Sequence, residues 1–315
     1  MIIVIAPFPS ISYEYDVTEL IPNNIVDTVS TSYYVYSKGV HSAKTIKILQ
    51  EEPLLLSALG GISGKTIKHH LDKSKIKSDV IWTNAITPQK IKLHDIKLEN
   101  DYIIQTSSSF PTKKDLTKLT SRFEEHIKKV KTVVISDEMG KLCSSDTDIM
   151  YKSWIEISNR NNVKVILSTD SLSILKHTSS STPYALVFTE EQLIELGYDS
   201  SCYRDIARAL LPLIKTGIHY ISVYLRNKSA LIISKNSCYL IECNPSTSIE
   251  CNNYFGGVFI GSFAIGINRK YEIERIGKLS LSCAVSASGN IDKPIINRKD
   301  IEYLFKRTKV SKLSI

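Results

Sequence analysis

The sequence predicts an α/β fold with a mostly parallel sheet covered on both faces. Two patterns carry this. From residue 113 onward, short β-branched runs alternate with stretches of helical period, as in strands joined by crossover helices. The first run, Ile2-Ile3-Val4-Ile5, is apolar at every position, as a strand buried on both faces must be. The 315 residues, 43% hydrophobic and 23% charged, can supply a sizeable core. No repeat, low-complexity segment or obvious linker interrupts them, so a single domain over 1–315 is expected.

In chain order, the strand at 2–5 ends at Pro7 and Pro9. Residues 12–36 show strand-like patches without helical period, and Lys38-Gly39 closes them. Val40, Ala43, Ile46 and Leu49 then keep helical register. An apolar run at 54–59 leads through Gly60-Gly61-Ile62-Ser63-Gly64 into a helix ending near Leu71. Strand patterns follow at 79–82, 90–93 and 102–105. The pieces at 12–36 and about 78–106 interrupt the alternation and are expected to form a small separate sheet. Leu116, Leu119, Phe123, Ile127 and Val130 mark one helix face. Strands at 132–135, 163–167, 184–188 and 220–225 alternate with helices at 146–160, 190–196 and 201–216. A hairpin at 230–234 and 238–243 precedes an apolar helix at 258–267, and helices at about 271–288 and 298–307 close the chain.

The net charge is +8, from 40 Lys and Arg against 32 Asp and Glu. The lysines are spread through candidate helices, among acidic residues and without an arginine-and-aromatic stripe, so nucleic acid is not expected as a partner. The surplus suits anionic small molecules. Six cysteines form no C-x-x-C pair and no zinc spacing, which points to a reduced, cytoplasmic chain. The seven histidines show no ligand pattern, and no metal site is expected. The apolar start at 1–6 is too short for a signal peptide or a membrane span.

Two stretches could hold a phosphate. Residues 60–66, Gly-Gly-Ile-Ser-Gly-Lys-Thr, follow a strand and precede a helix, which makes a P-loop NTPase one alternative. The spacing argues against it: only three residues separate Gly60 from Gly64, where a P-loop needs four. The second stretch, Cys251 to Gly257, opens the apolar helix. Gly256 and Gly257 there would present unpaired amides and the positive end of a helix dipole to an anion.

The order of segments around this second stretch resembles the PfkB (ribokinase-like) carbohydrate kinases, in particular the phosphofructokinase and tagatose-6-phosphate kinase branch. Pro9-Ser10-Ile11 stands where that branch has its N-P-A-I-D loop, and Ser37-Lys38-Gly39-Val40-His41-Ser42-Ala43 where it has G-K-G-x-N-V-A. Leu59-Gly60-Gly61-Ile62-Ser63-Gly64 matches its L-G-G-x-x-G turn, which explains the near-P-loop without nucleotide binding. Pro183 to Leu186 matches the strand before its K-P-N motif. Gly256 and the helix 258–267 match its G-A-G-D segment. The resemblance covers nearly the whole chain and implies a three-layer α/β/α sandwich with a small β lid, from about 12–36 and 78–106. By analogy, it also implies a homodimer through that lid.

The same resemblance shows where the chemistry has changed. The family's general base, the aspartate of G-A-G-D, corresponds to Gly257, and losing such a base costs roughly 10²–10⁴-fold in rate. Tyr254 and Phe255 replace the motif's first glycine and alanine, and both rings are expected to crowd the entrance. The first-loop aspartate corresponds to Ser12, the G-K-G-x-N asparagine to His41, and the phosphate-gripping arginine to Pro88. K-P-N-x-x-E, tied in the family to magnesium and phosphate, reads Val187-Phe188-Thr189-Glu190-Glu191-Gln192. The nucleotide-side S-L-G-x-x-G reads Tyr224-Leu225-Arg226-Asn227-Lys228-Ser229.

The resemblance therefore implies a catalytically silent relative of these kinases, a sugar-phosphate-binding or regulatory protein. Its substrate-side positions are Ser12, Lys38, Gly39 and His41, and its anion-side positions are Gly256 and Gly257. The alternative is a working kinase that moves the γ-phosphate of ATP, with magnesium, to a hexose phosphate such as fructose 1-phosphate or tagatose 6-phosphate. Asp137-Glu138, read as a solvated loop, are the nearby paired carboxylates that could replace the base. A Gly257→Asp variant that acquires activity would support the silent reading.

Overall fold

The computed structural model describes residues 1–106, 111–137, 145–169, 171–177, 181–198, 202–225, 227–244, 255–287 and 297–315. Its centre is a ten-stranded sheet. Seven strands run parallel: β1 (Ile2–Ile5), β4 (Pro53–Leu59), β5 (Lys77–Trp82), β8 (Thr132–Ser136), β9 (Lys164–Ser168), β10 (Ala185–Thr189) and β11 (Tyr220–Leu225). Three antiparallel strands, β12 (Ser229–Ile233), β13 (Cys238–Cys243) and β14 (Thr308–Leu313), extend one edge. The order is β14-β13-β12-β11-β10-β9-β8-β1-β4-β5. Strand order reverses at β1, which pairs with β4 on one side and β8 on the other. In open parallel sheets, a crevice forms outside the carboxyl ends of the strands at such a reversal.

The all-apolar strands now have their reason. In β1, Ile3 and Ile5 enter one core while Ile2 and Val4 enter the other, and all four are fully buried. The first core lies under α3 (Lys113–Ile127), α4 (Ser145–Arg160), α5 (Leu172–His177), α6 (Glu190–Glu195) and α7 (Tyr203–Lys215). The second lies under α1 (Lys38–Ile48), α2 (Gly61–Lys73), α8 (Phe255–Asn268), α9 (Ile273–Ser286) and α10 (Arg298–Arg307). The result is the expected α/β/α sandwich. Helix α8 is apolar on all sides because α1, α9 and the sheet enclose it, so Phe255 to Ile267 are all buried.

A second, four-stranded sheet has the order β3-β2-β6-β7, with β2 Ser10–Val17, β3 Thr28–Tyr36, β6 Gln89–Asp95 and β7 Asn100–Gln105. The segment near 78–82, expected in this small sheet, is instead β5, paired with β4 at the edge of the large sheet. Its first half looks polar because an edge strand needs only one covered face. The sequence reading had no place for β14, whose alternating half-exposed residues (TKVSKL) follow α10 without a break and pair with β13.

Candidate active site

The site is where the first turns of α1 and α8 meet, beyond the carboxyl ends of the strands. Ser37 caps α1, its hydroxyl accepting the Val40 N–H at 2.9 Å, so the helix starts at Lys38. Gly39 is buried here. A Cβ at that position would stand 2.6 Å from the Ala6 Cβ and 3.3 Å from the Ser136 Cβ, so this glycine seats α1 against the ends of β1 and β8. Its role is close packing.

Helix α8 begins at Phe255, so Gly256 and Gly257 lie inside its first turn, not ahead of it. Both face neighbours at very short range. A Cβ on Gly257 would be 2.6 Å from the Lys38 carbonyl oxygen, 2.6 Å from the His41 Cβ and 3.0 Å from the Lys38 Cα. A Cβ on Gly256 would be 2.6 Å from the Thr189 Cγ2. The next turn repeats the approach: a Cβ on Gly261 would meet the Ser42 carbonyl oxygen at 2.6 Å. The Ser42 hydroxyl, within reach of the Lys38 carbonyl at 2.8 Å, donates also to the Gly257 carbonyl at 2.9 Å, tying α1 to α8. The space a side chain at residue 257 would take is therefore filled by helix α1. A side chain at residue 257 would have to displace these neighbours, so a Gly257→Asp variant meets the same obstruction.

His41 occupies the neighbouring volume. It is 3% exposed, and its Nε2 lies 3.0 Å from the Val35 carbonyl of β3. A carbonyl only accepts, so Nε2 carries a proton. Burial holds its pKa well below 6.5; the charge on Lys44 adds to this, and the Val35 contact partly offsets it. Lys44 reaches His70, Nζ to Nε2 2.9 Å. Burial brings the lysine down to about 8, and burial together with Lys44 brings His70 down to about 4. A neutral histidine wedged between α8 and the small sheet is a packing group, not an exposed switch.

Several other expectations change. Phe255 was expected to crowd the entrance, but it is 2% exposed and turned inward, 6.1 Å from the ring of Tyr224, which also packs on Phe259 at 5.5 Å. Tyr254, like Glu138 and residues 251–253, lies outside the described residues. Asp137 was read as part of a solvated loop. It is 1% exposed, and its carboxylate accepts from Tyr151 Oη at 3.1 Å and Thr169 Oγ1 at 2.7 Å. Those bonds make it a brace between β8, β9 and α4. Ser12 is likewise buried, its hydroxyl without a partner among the described residues. Lys38 alone of the substrate-side positions stays partly open, and its Cδ passes 4.0 Å from a Cβ built on Gly256. Its stem thus runs along the amino end of α8.

The position that the resemblance ties to a magnesium carboxylate offers none. Gln192 stands where a family carboxylate would, and its amide is committed to the fold. Its Oε1 accepts from Thr189 N at 3.0 Å and Ser168 Oγ at 3.2 Å, while Thr189 caps α6. Its Nε2 is buried without a partner among the described residues. No cluster of three or more His, Cys, Asp or Glu that could hold a metal occurs among the described residues. The described part of the nucleotide-side turn is tied to α7. Asn227 and Ser229 bond to the Tyr203 hydroxyl at 2.6 and 3.3 Å, and Tyr224 is buried. Sequence reasoning missed Thr189 as the neighbour of Gly256, because only the fold brings β10 to α8.

At residues 60–66 the strand, turn and helix are present, but the turn is filled. A Cβ on Gly60 would lie 1.9 Å from the Ala85 carbonyl oxygen, the Gly60 amide donates to Thr87 Oγ1 at 2.9 Å, and Lys65 points outward. No described helix is long and apolar enough to cross a membrane.

Comparison with known proteins matches this geometry over almost the full chain. No family model matches. A 1-phosphofructokinase of Borreliella burgdorferi is 20% identical over 290 residues, 90% of this chain and 91% of the relative. A 1-phosphofructokinase of Bacillus subtilis is 18% identical over 314 residues, 99% and 100% of the two chains. Among solved structures, the tetrameric inhibited form of phosphofructokinase-2 from Escherichia coli superposes with a TM-score of 0.81 at 14% identity, covering 97% of this chain and 98% of that one. Ribokinase from Thermotoga maritima gives 0.74 at 17% identity, covering 97% and 99%.

Proposed function

Since the chain belongs to the PfkB (ribokinase-like) carbohydrate kinase family, we propose that it is a member that no longer transfers phosphate and serves as a sugar-phosphate-binding or regulatory protein of the cytoplasm. The carrying observation is the Gly257 position, where the Lys38 backbone and His41 stand at 2.6 Å from any Cβ. A general base needs a side chain within hydrogen-bond reach of the hydroxyl it deprotonates, and this position can carry none. What persists is the donor end of α8. Its first amides, with the Lys38 stem alongside, suit an anion.

The binding half is tested by calorimetric titration with fructose 1-phosphate and tagatose 6-phosphate, without nucleotide. Saturable binding that Lys38→Ala weakens tenfold or more supports it; no heat with either sugar phosphate removes it.

The alternative, a working hexose-phosphate kinase using ATP and magnesium, draws its support from the length of the match to proteins named 1-phosphofructokinase. It would need a base other than residue 257.

We also propose that the small sheet pairs with its counterpart in a second copy. Cross-strand register places Tyr13, Tyr33, Ile91 and Ile104 side by side on one face, continued by Tyr15, Leu93 and Tyr102. Tyr33, Tyr102 and Ile104 are 57%, 43% and 51% exposed, a contiguous apolar patch of the kind that marks an interface. Light scattering should give a dimer that Tyr33→Glu with Ile104→Glu converts to monomer; a wild-type monomer at all concentrations would rule this out.

A further inference from the structure

At the opposite end of α1 and α8 from the candidate site, the structure holds a cavity of about 350 Å³. Its walls come from four helices and the turn after α8: Leu49 caps α1, Ile265 lies in the last turns of α8, Leu279 on α9, and Ile301 and Phe305 on α10. Ile301 and Phe305 stand four apart on α10, so both turn toward the cavity, where Leu279 of α9 meets them. The volume falls within the range of small-molecule pockets and equals roughly a dozen water molecules at about 30 Å³ each. These five wall residues carry no side-chain hydrogen-bonding group; Arg269, Tyr271, Arg275, Glu302 and Lys306 supply those of the lining.

The rim is charged differently. Arg269 is already committed, its Nε donating to Glu51 at 2.9 Å and its Nη2 to the Leu49 carbonyl at 3.1 Å. Arg275 lies with its guanidinium carbon 4.2 Å over the Tyr271 ring, which fixes the plane of the fork. Neither Arg275 nor Lys306 has a carboxylate partner among the described residues, and Glu302 is the sole acidic side chain of the lining. An apolar wall with two cations that lack a carboxylate partner at its mouth complements an apolar body ending in an anion. We infer that this cavity is a binding site for a small amphipathic carboxylate, its chain lying on Leu49, Ile265 and Leu279 and its head accepting from Arg275 and Lys306. The oriented guanidinium can pair with a carboxylate through two parallel hydrogen bonds.

Octanoate is the probe, with 1-octanol as its uncharged counterpart and butyrate as its short one. Calorimetric titration of the full chain should show saturable octanoate binding, with 1-octanol and butyrate each at least tenfold weaker. Arg275→Gln, a change at an exposed side chain, should raise the octanoate Kd at least tenfold. Leu279→Trp, which fills the chamber, should abolish binding; melting curves of both variants without ligand verify that they fold, and Arg275→Gln suffices if Leu279→Trp does not. The inference is overturned if octanoate gives no saturable binding, if 1-octanol binds as well as octanoate, or if Arg275→Gln leaves the Kd unchanged. It is overturned equally if a second copy of the chain covers the mouth, seen as dimers that Leu279→Trp dissociates.

Discussion

Consider alanine in place of Gly257. In an open helical position, Gly→Ala stabilises by up to about 1 kcal/mol, because alanine loses less conformational freedom than glycine. Here the added methyl would stand 2.6 Å from the Lys38 carbonyl oxygen and 2.6 Å from the His41 Cβ, against an ordinary carbon contact of about 3.5–4.0 Å. Relief needs α1 and α8 to part by roughly an ångström at that turn. The Ser42–Gly257 hydrogen bond of 2.9 Å and the approach of Gly261 to Ser42 both resist such a shift. Overpacking of this kind costs about 1–3 kcal/mol, which outweighs the helical gain. Gly257→Ala is therefore expected to be net destabilising by about 1–2 kcal/mol, and Gly257→Asp by more, since it adds a carboxylate with no space for its hydration. Urea unfolding followed by circular dichroism measures this at constant slope. An alanine variant as stable as the wild type, or more stable, would refute the close contact and with it the loss of the base position.

Three further outcomes follow from neighbouring contacts. Gly256→Ala would press on the Thr189 methyl at 2.6 Å, and displacing Thr189 loosens the cap of α6, so a loss of about 1 kcal/mol is expected; adding Thr189→Ser, which keeps the hydroxyl and removes the methyl, should restore stability, as paired urea titrations would reveal. His41 is neutral in the folded chain and titrates near 6.5 when unfolded. Its contribution is thus complete above pH 6.5 and is lost as the pH falls, at up to about 1.4 kcal/mol per pH unit. His70, held at about 4, pushes the same way between 6.5 and about 4, so His41→Asn should flatten part, not all, of the decline in urea midpoint between pH 6.5 and 5. A decline of undiminished slope in that variant would exclude His41 as its source. Finally, Asp137→Asn should cost stability, since Tyr151 and Thr169 both donate to the carboxylate and one would face an NH₂ group; hydrogen bonds to a charged group contribute roughly 1.5–3 kcal/mol, and an unchanged melting point would show the brace to be dispensable.

The layer structure was legible because it rests on periodicity. Strands buried on both faces, such as β1, must be apolar at every position, and α3 announces its one buried stripe. Local chemistry was less legible, since it depends on which elements the fold brings together. Gly257 could be aligned with a lost aspartate, yet nothing near it in the chain says that Lys38 and His41 fill the space. Phe255 reads as an obstruction until Tyr224, thirty-odd residues earlier, is seen to receive its ring. Asp137 looks like a loop carboxylate because its partners, Tyr151 and Thr169, belong to other elements. Edge strands were the weakest signal: β5 and β14 each have one uncovered side, so their polarity imitates a loop.

The central claim is that the chain cannot deprotonate a sugar hydroxyl for phosphoryl transfer. The most direct measurement is ADP release by purified protein with magnesium, ATP and each of fructose 1-phosphate, fructose 6-phosphate and tagatose 6-phosphate at saturating concentration. The closed Gly257 position predicts release indistinguishable from a control without sugar phosphate. Turnover near 1 s⁻¹ or above with any of the three, at the slow end of ordinary enzymes, would contradict it.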